Sequence, residues 1–342
     1  MRHSLRHAAA MVLLAWCARE TFAQSTHIDR QFLPVNWKKS VVVEGSLDSD
    51  LLRPLLMIAR DSSIYVYDYG DQSLKAFSVL GPLRWRFGRS GQGPGEFGNP
   101  TDIQLDPSGN LWIADPQTSR ITVVSNGGKL LRTIPQSSMV ERVVPLAAGQ
   151  FLSFAFSGDK PRFERKDSTG RAMGAILYPA WMDSTPSLVS ELRTAVSSDG
   201  INIFLGSFYS GRMLRLRGGD SVVKEMITVE THAFPKPISY SPNKNMTVRR
   251  LPPDARPTIR SISADAKFAY ALILGSGDER GRIVDLYRTA DGLYAGSWIL
   301  PERAIAISVT PRGVAALVSD ELPSLYFYEA KRTGQRHLDS RN

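Results

Sequence analysis

The chain has 342 residues, 42% hydrophobic and 22% charged, which is enough apolar content for a large core and too much for a disordered chain. Formal net charge is +9, but no Lys/Arg run interleaved with aromatics occurs, which argues against a nucleic-acid partner. The single cysteine, Cys17, excludes a disulfide framework.

Residues 1–23 read as a secretory signal. Arg2 and Arg6 form a positive start, residues 8–18 are apolar, and Thr21 and Ala23 supply small residues for cleavage before Gln24. The apolar run is shorter than the roughly 20 residues a spanning helix needs, so no transmembrane segment is expected after signal removal. Trp16 stands where lipoprotein processing needs a small residue, so lipidation at Cys17 is not expected. Cleavage takes Arg2, Arg6, Arg19 and Glu20 out of the total and leaves +7. The mature chain then has no cysteine in a secreted or periplasmic setting, as a large core permits.

The first strand signal after this segment is the Val-rich Ser40–Glu44, which stands alone. From Leu55 to Phe87 four short apolar or alternating runs are separated by turn residues, among them the Asp61-Ser62-Ser63 and Gly70-Asp71 stretches. The next unit is the clearest. After a Gly/Pro-rich loop (Gly88-Arg-Ser-Gly-Gln-Gly-Pro-Gly-Glu-Phe97) come strands at 101–105, 110–114, 120–125 and 129–134. Their turns are Asp106-Pro-Ser-Gly109, Asp115-Pro-Gln-Thr-Ser119 and Asn126-Gly-Gly128. The same rhythm recurs over 140–177, 192–229 and 258–300. It recurs with only three strands over 304–330, where Ser40–Glu44 could supply the fourth.

Six units of roughly 40–50 residues, and no helical apolar stripe lasting ten residues, predict an all-β chain. The expected architecture is a six-bladed β-propeller of four-stranded blades, its last blade closed by the N-terminal strand. One domain would span residues 24–330, with a polar tail over 331–342. Two connections, 178–191 and 231–257, exceed ordinary blade turns. They read as insertions, with a ligand-covering role as the alternative.

Gln92-Gly-Pro-Gly-Glu-Phe97 and the following Asp106-Pro-Ser-Gly-Asn-Leu-Trp-Ile-Ala-Asp115, with Arg120, resemble the NHL-repeat propellers, in particular secreted bacterial members with a GlyXGlyProGlyGluPhe loop. The likeness is specific over 87–134 and moderate over 55–86. It implies an acid–base pair joining the second and third strands: Asp115 with Arg120, and Asp68 with Lys75. Gly206 interrupts that pattern in the fourth unit. Related propellers include metal-dependent lactonases, peptide-amidating lyases and binding platforms, so the fold does not choose the function.

Little in the sequence points to catalysis. The mature chain has three histidines, His27, His232 and His337, none at the start of an inner strand, so an axial zinc site is not expected. Asp102, Glu96, Glu141 and Glu191 are the carboxylates a calcium site could recruit, but arginines adjoin them. The Gly-rich loop lacks the Lys-Ser/Thr ending of a phosphate cradle and reads as a connector. The suggestive pattern is basic. Aligning the units puts Arg142 and Arg193 level with Asp102 at the start of the inner strand. Arg260 falls one position later, and Arg53 and Arg303 fall two to three positions earlier. Such a ring would make one mouth of the propeller an anion funnel.

The expected function is therefore a secreted binding or interaction module. It would take an anionic small molecule, glycan or protein at that mouth, through Asp102, Arg142, Arg193, Arg260, Arg303 and Arg53, without a cofactor. The alternative is a calcium-dependent hydrolase or lyase of the lactonase kind with an axial site.

Overall fold

The computed structural model describes residues 28–46, 50–157, 160–218, 220–243, 246–275, 277–319 and 321–331. The expected signal segment with Cys17, His27, and the expected tail beyond 331 with His337 lie outside the described residues.

Strand β1 (Asn36–Val43) comes first. Blade one is β2 (Pro54–Arg60), β3 (Ser63–Asp68), β4 (Ser73–Ser78) and β5 (Gly81–Phe87). Blade two is β6 (Asp102–Leu105), β7 (Leu111–Asp115), β8 (Arg120–Val124) and β9 (Leu130–Pro135). Blade three is β10 (Val140–Pro145), β11 (Phe151–Ser157), β12 (Lys160–Lys166) and β13 (Ala172–Ala175). Blade four is β14 (Leu192–Val196), β15 (Asn202–Ser207), β16 (Met213–Arg217) and β17 (Lys224–Met226). A separate hairpin follows, β18 (Ile238–Asn243) with β19 (Met246–Arg250). Blade five is β20 (Ile259–Ala264), β21 (Phe268–Ile273), β22 (Ile283–Arg288) and β23 (Tyr294–Ile299). Blade six is β24 (Ala304–Thr310), β25 (Gly313–Ser319) and β26 (Pro323–Lys331), and β1 forms its outermost strand. All pairings are antiparallel, so the fold is a six-bladed β-propeller.

The core explains why the strand signals are nearly continuous rather than alternating. A blade packed between two others is buried on both faces. On β3, Ile64 and Val66 join blade six, while Tyr65 and Tyr67 join blade two. The same division holds around the ring, and six clusters fill the six interfaces between neighbouring blades. Fully buried Phe77, Phe151, Phe204 and Trp112 anchor them; burying each such side chain contributes about 1.5–3 kcal/mol.

Strand β1 runs from Asn36, opposite Lys331, to Val43, opposite Leu325, and so begins four residues before the Val-rich stretch seen in the sequence. Upstream of it, residues 31–33 lie alongside β23. Leu33 N donates to Ser297 O at 2.8 Å and Ser297 N donates to Gln31 O at 2.9 Å. There Arg30 reaches inward with a two-pronged contact to Asp285, at 3.0 and 3.1 Å, and a 2.6 Å contact to Glu230.

The glycine-rich loop is a connector. Phe97, fully buried, wedges edge-on between Tyr67 and Phe87. Gly88, at φ +89°, passes so close to that ring that a Cβ would meet it at 2.3 Å. Glu96 accepts from Gly93 N at 2.8 Å, and Arg120 donates to the carbonyls of Gln92, Gly93 and Glu96 at 2.6–2.7 Å. The acid–base pair implied for blade two therefore does not form. Asp115 instead accepts from the amides of Gly98 and Asn99, because the loop's carbonyls offer Arg120 three acceptors. In blade one the pair does form: Lys75 Nζ lies 2.9 Å from Asp68, and neither side chain is exposed.

Connection 231–257 contains the β18–β19 hairpin, which the prolines concealed. Pro242 falls where the hairpin register shifts, between Tyr240 and Asn243, a place where a strand tolerates a residue with no N–H. The two long connections touch through Trp181 and Phe234, with ring centroids 5.4 Å apart. Among the described residues no helix is long and apolar enough to cross a membrane.

Candidate functional site: the arginine-lined mouth

The inner strands β2, β6, β10, β14, β20 and β24 surround an axial cavity of about 680 Å³. Each is the edge of its sheet, and an edge leaves backbone groups without a ladder partner. Side chains of neighbouring blades satisfy several. Ser308 accepts from Ala59 N, Ser263 from Val309 N and Ser261 from Ile307 N, at 2.8–3.2 Å. Asp102 accepts from Val143 N at 3.0 Å. Gln104 and Asp102 also reach Thr194 of blade four, at 3.2 and 3.3 Å, passing in front of the inner strand of blade three. Of β10, only Arg142 and Pro145 line the cavity.

One mouth lies where the inner strands begin, beside the turns that follow the second strands. Tyr69 and Phe208 occupy equivalent places there, one residue beyond β3 and β15. Asp102, Arg142, Arg193 and Arg260 also line the cavity at this end, so four of the six expected residues come together. Arg53 does not line it; its guanidinium lies 5.8 Å from the Tyr69 ring. Arg303 is exposed, precedes β24 and does not line the cavity. Both arginines stand ahead of the point where their strands enter the wall, so the inner-strand alignment overreached by two to three residues.

The four residues differ in what they can offer. The Asp102 carboxylate is engaged by Val143 N, Gln104 and Thr194, and burial pushes it above the usual carboxylate range although Arg142 opposes this. It joins three blades. Arg142 donates to the carbonyls of Leu192, Thr101 and Glu141 at 2.6–2.7 Å, a mortar between blades two, three and four. Arg193 donates to Arg260 O at 3.0 Å and to Glu191 at 2.6 Å, and lies 4.4 Å from the Phe208 ring centre. Burial, partly offset by Glu191, draws its guanidinium down to about 10, so it stays charged at neutral pH. Arg260 shares the Phe208 ring, at 5.7 Å, and its guanidinium makes no hydrogen bond within the described residues. Burial lowers it, with Glu191 opposing.

Arg260 and Arg193 also differ in backbone register, although a bulge alone does not decide which residues line the cavity: Glu141 is bulged and does not. In four of the six inner strands a bulge falls one residue after the strand begins. Leu55, Glu141, Arg260 and Ile305 are the extra residues. A bulge breaks the in–out alternation and re-aims the side chain it carries. Leu55, Arg260 and Ile305 all line the cavity. Arg193, in a regular strand opposite Gly206, instead runs back to protein acceptors. The Tyr209 hydroxyl stands in the fields of Glu191, Arg193 and Arg260; burial, then Glu191, raises it above the usual tyrosine range.

The carboxylates do not make a cation cage. Glu96 is tied to Arg89 in the connector loop, Glu191 to Arg193, and Asp102 to three donors. Among the described residues no three His, Cys, Asp or Glu side chains are grouped as a metal centre requires.

The geometry defines a six-bladed β-propeller with one mouth lined by arginines, aromatic rings, Asp102 and Glu191. Solved structures share the fold. A streptogramin B lyase superposes with a TM-score of 0.53 at 12% identity, over 86% of this chain and 98% of the lyase. A member of the duf4221 family from Bacteroides vulgatus gives 0.53 at 10% identity, over 88% and 99%. The β-propeller domain of Cps50 (Swd1) from Myceliophteria thermophila gives 0.50 at 12% identity, over 86% and 100%. At such identities the likeness speaks for the fold alone. No family model and no curated protein matches the chain.

Proposed function

We propose that the chain is an exported propeller that binds an anionic ligand at the mouth formed by Arg260, Arg193, Phe208 and Tyr209. One observation carries this reading: Arg260 points a guanidinium without a protein acceptor into a cavity, while its neighbours Arg142 and Arg193 are anchored. A charged fork in such a setting is made whole by a carboxylate, sulfate or phosphate group. The export signal at residues 1–23 supports the compartment, and N-terminal sequencing of exported protein starting at Gln24 would check it. The loop supports placing the chain near the NHL-repeat propellers, while the Asp115–Arg120 pair that the likeness implies does not form.

The test is calorimetric titration with sulfate and phosphate. Arg260→Gln is expected to weaken binding at least tenfold, the scale of a lost charge-assisted hydrogen bond. Arg303→Gln, outside the cavity, is expected to leave binding unchanged. Equal affinities in all three proteins would refute the site.

A second reading, a hydrolase or lyase beside the same mouth, is favoured by Glu141, although this residue is not part of the cavity wall. This bulged carboxyl makes no side-chain hydrogen bond within the described residues. Burial raises it above the usual range, with Arg142 opposing and Glu191 adding to the rise. Such a group is suited to proton transfer. Its calcium-dependent form predicts a higher melting temperature with calcium than with chelator; superimposable melting curves would remove that form.

A further inference from the structure

The mouth has two unlike halves. Blades four and five present Arg193, Arg260 and Phe208, whereas blades six and one present the bulged Ile305 and Leu55. Leu55 is 40% exposed at a position where its side chain meets the cavity. Deeper in the cavity Ile58, Val196 and Val309 line the wall with part of their surface still open.

Several polar side chains at the same depth are already engaged. The hydroxyls of Ser261, Ser263 and Ser308 hold backbone amides of the next blade, and Gln104 holds Asp102 and the Thr194 carbonyl. A ligand entering past Arg260 therefore meets stretches of apolar wall between polar groups that are in part engaged, with Asp61 and Asp199 at the far end. Inner strands of four to seven residues rise about 3.3 Å per residue, which gives the cavity a depth of roughly 13–23 Å. A compact inorganic anion fills little of such a space. An anion carrying an apolar chain fills both halves.

We infer that the ligand is an amphiphilic anion: a carboxylate, sulfate or phosphate ester whose head is held by Arg260, beside the anchored Arg193, and whose apolar chain lies against Leu55 and Ile305 and down the axial cavity. This rests on the anion reading of the mouth and narrows it to one ligand class. Chain burial adds affinity in proportion to the area removed from water, so each methylene that reaches the wall strengthens binding. The head fixes orientation, because an apolar chain alone would leave Arg260 without a partner.

The experiment uses the full mature chain and a homologous series: inorganic sulfate, then ethyl, butyl, hexyl and octyl sulfate, each well below its micelle concentration and at constant ionic strength. Hexanol is the uncharged control. The expected result is a dissociation constant that falls roughly tenfold for every two methylenes until the chain outruns the cavity. Hexanol should bind at least tenfold more weakly than hexyl sulfate. Arg260→Gln should weaken every alkyl sulfate by a similar factor and keep the chain-length slope. Leu55→Gln, at an exposed position, should flatten the slope and leave inorganic sulfate unchanged.

Sulfate binding with no dependence on chain length would overturn the inference while the anion site stands. Loss of binding for the whole series, sulfate included, would overturn both. Hexanol binding as tightly as hexyl sulfate would refute the role of the anionic head. The wild-type series needs no variant, so it decides the matter even where a substitution impairs folding.

Discussion

Replacing Asp68 with alanine is expected to lower stability by about 3–5 kcal/mol in urea denaturation, because it leaves the buried Lys75 ammonium with only the partly exposed Asp71 as counter-charge and strands the amides that Asp68 holds. Lys75 is fully buried and contacts Asp68 at 2.9 Å, Asp71 at 2.9 Å and the Asp50 carbonyl at 2.6 Å. Asp68 also accepts from the amides of Leu52, Arg53 and Gly70 at 2.7–2.8 Å, so one carboxylate holds the entry to blade one, its second turn and its third strand. Lys75→Met should cost less, since three amides still satisfy Asp68 and the methionine fills similar space. Equal losses for the two variants would contradict this asymmetry. Burial pushes the Asp68 carboxyl up, but the Leu52 amide, the Lys75 ammonium and the Arg53 and Gly70 amides outweigh it and hold it below the usual range. The sign follows. Its contribution is complete above the unfolded value of about 3.9 and is lost as pH falls through the lower folded value. The stability of Asp68→Asn should accordingly fall less steeply below pH 4 than that of the wild type.

Arg30→Met is expected to cost a similar amount, about 3–5 kcal/mol, for the converse reason: it strands an acid. Asp285 has no exposed side-chain surface and otherwise has only the Ser297 hydroxyl, at 2.6 Å. Arg30 also holds Glu230, directly before the long connection to blade five. The segment that carries it continues into β1, the outer strand of blade six. The ion triad thus joins three parts of the ring at one point. Adding Asp285→Asn to Arg30→Met should restore part of the loss, because the amide carries no charge to bury. A double variant no more stable than Arg30→Met alone would show that Arg30 acts by packing.

The blades were legible because their punctuation is local. Asp106-Pro-Ser-Gly109 and Asn126-Gly-Gly128 specify turns whatever lies around them, and the strands between them are apolar on both faces because each blade has two neighbours. The site was legible in part. Arg142, Arg193 and Arg260 were identifiable as inner-strand arginines, and all three line the cavity. What they do there depends on register. Whether a residue is bulged is a relation between two strands, so Arg260 could not be told from Arg193 in the sequence, although only Arg260 is left without a protein acceptor. Asp102 lines the cavity as its inner-strand place suggests, but the contacts that engage it include Val143, 41 residues away, and Thr194, 92 residues away, which the sequence does not show. Phe208 carries a signal in the sequence, since it directly follows the second strand of its blade, as Tyr69 does in blade one. The β18–β19 hairpin was hidden by proline content, which argues against strands except where a register shift takes up the missing N–H.

The most direct test of the anion mouth is a crystal of the protein from residue 24 onward grown with selenate, read by anomalous scattering. The expected map has a selenium peak within hydrogen-bond reach of the Arg260 guanidinium, beside Phe208 and Tyr209. Selenate found only at other arginines, with Arg260 bonded to a protein acceptor, would contradict it.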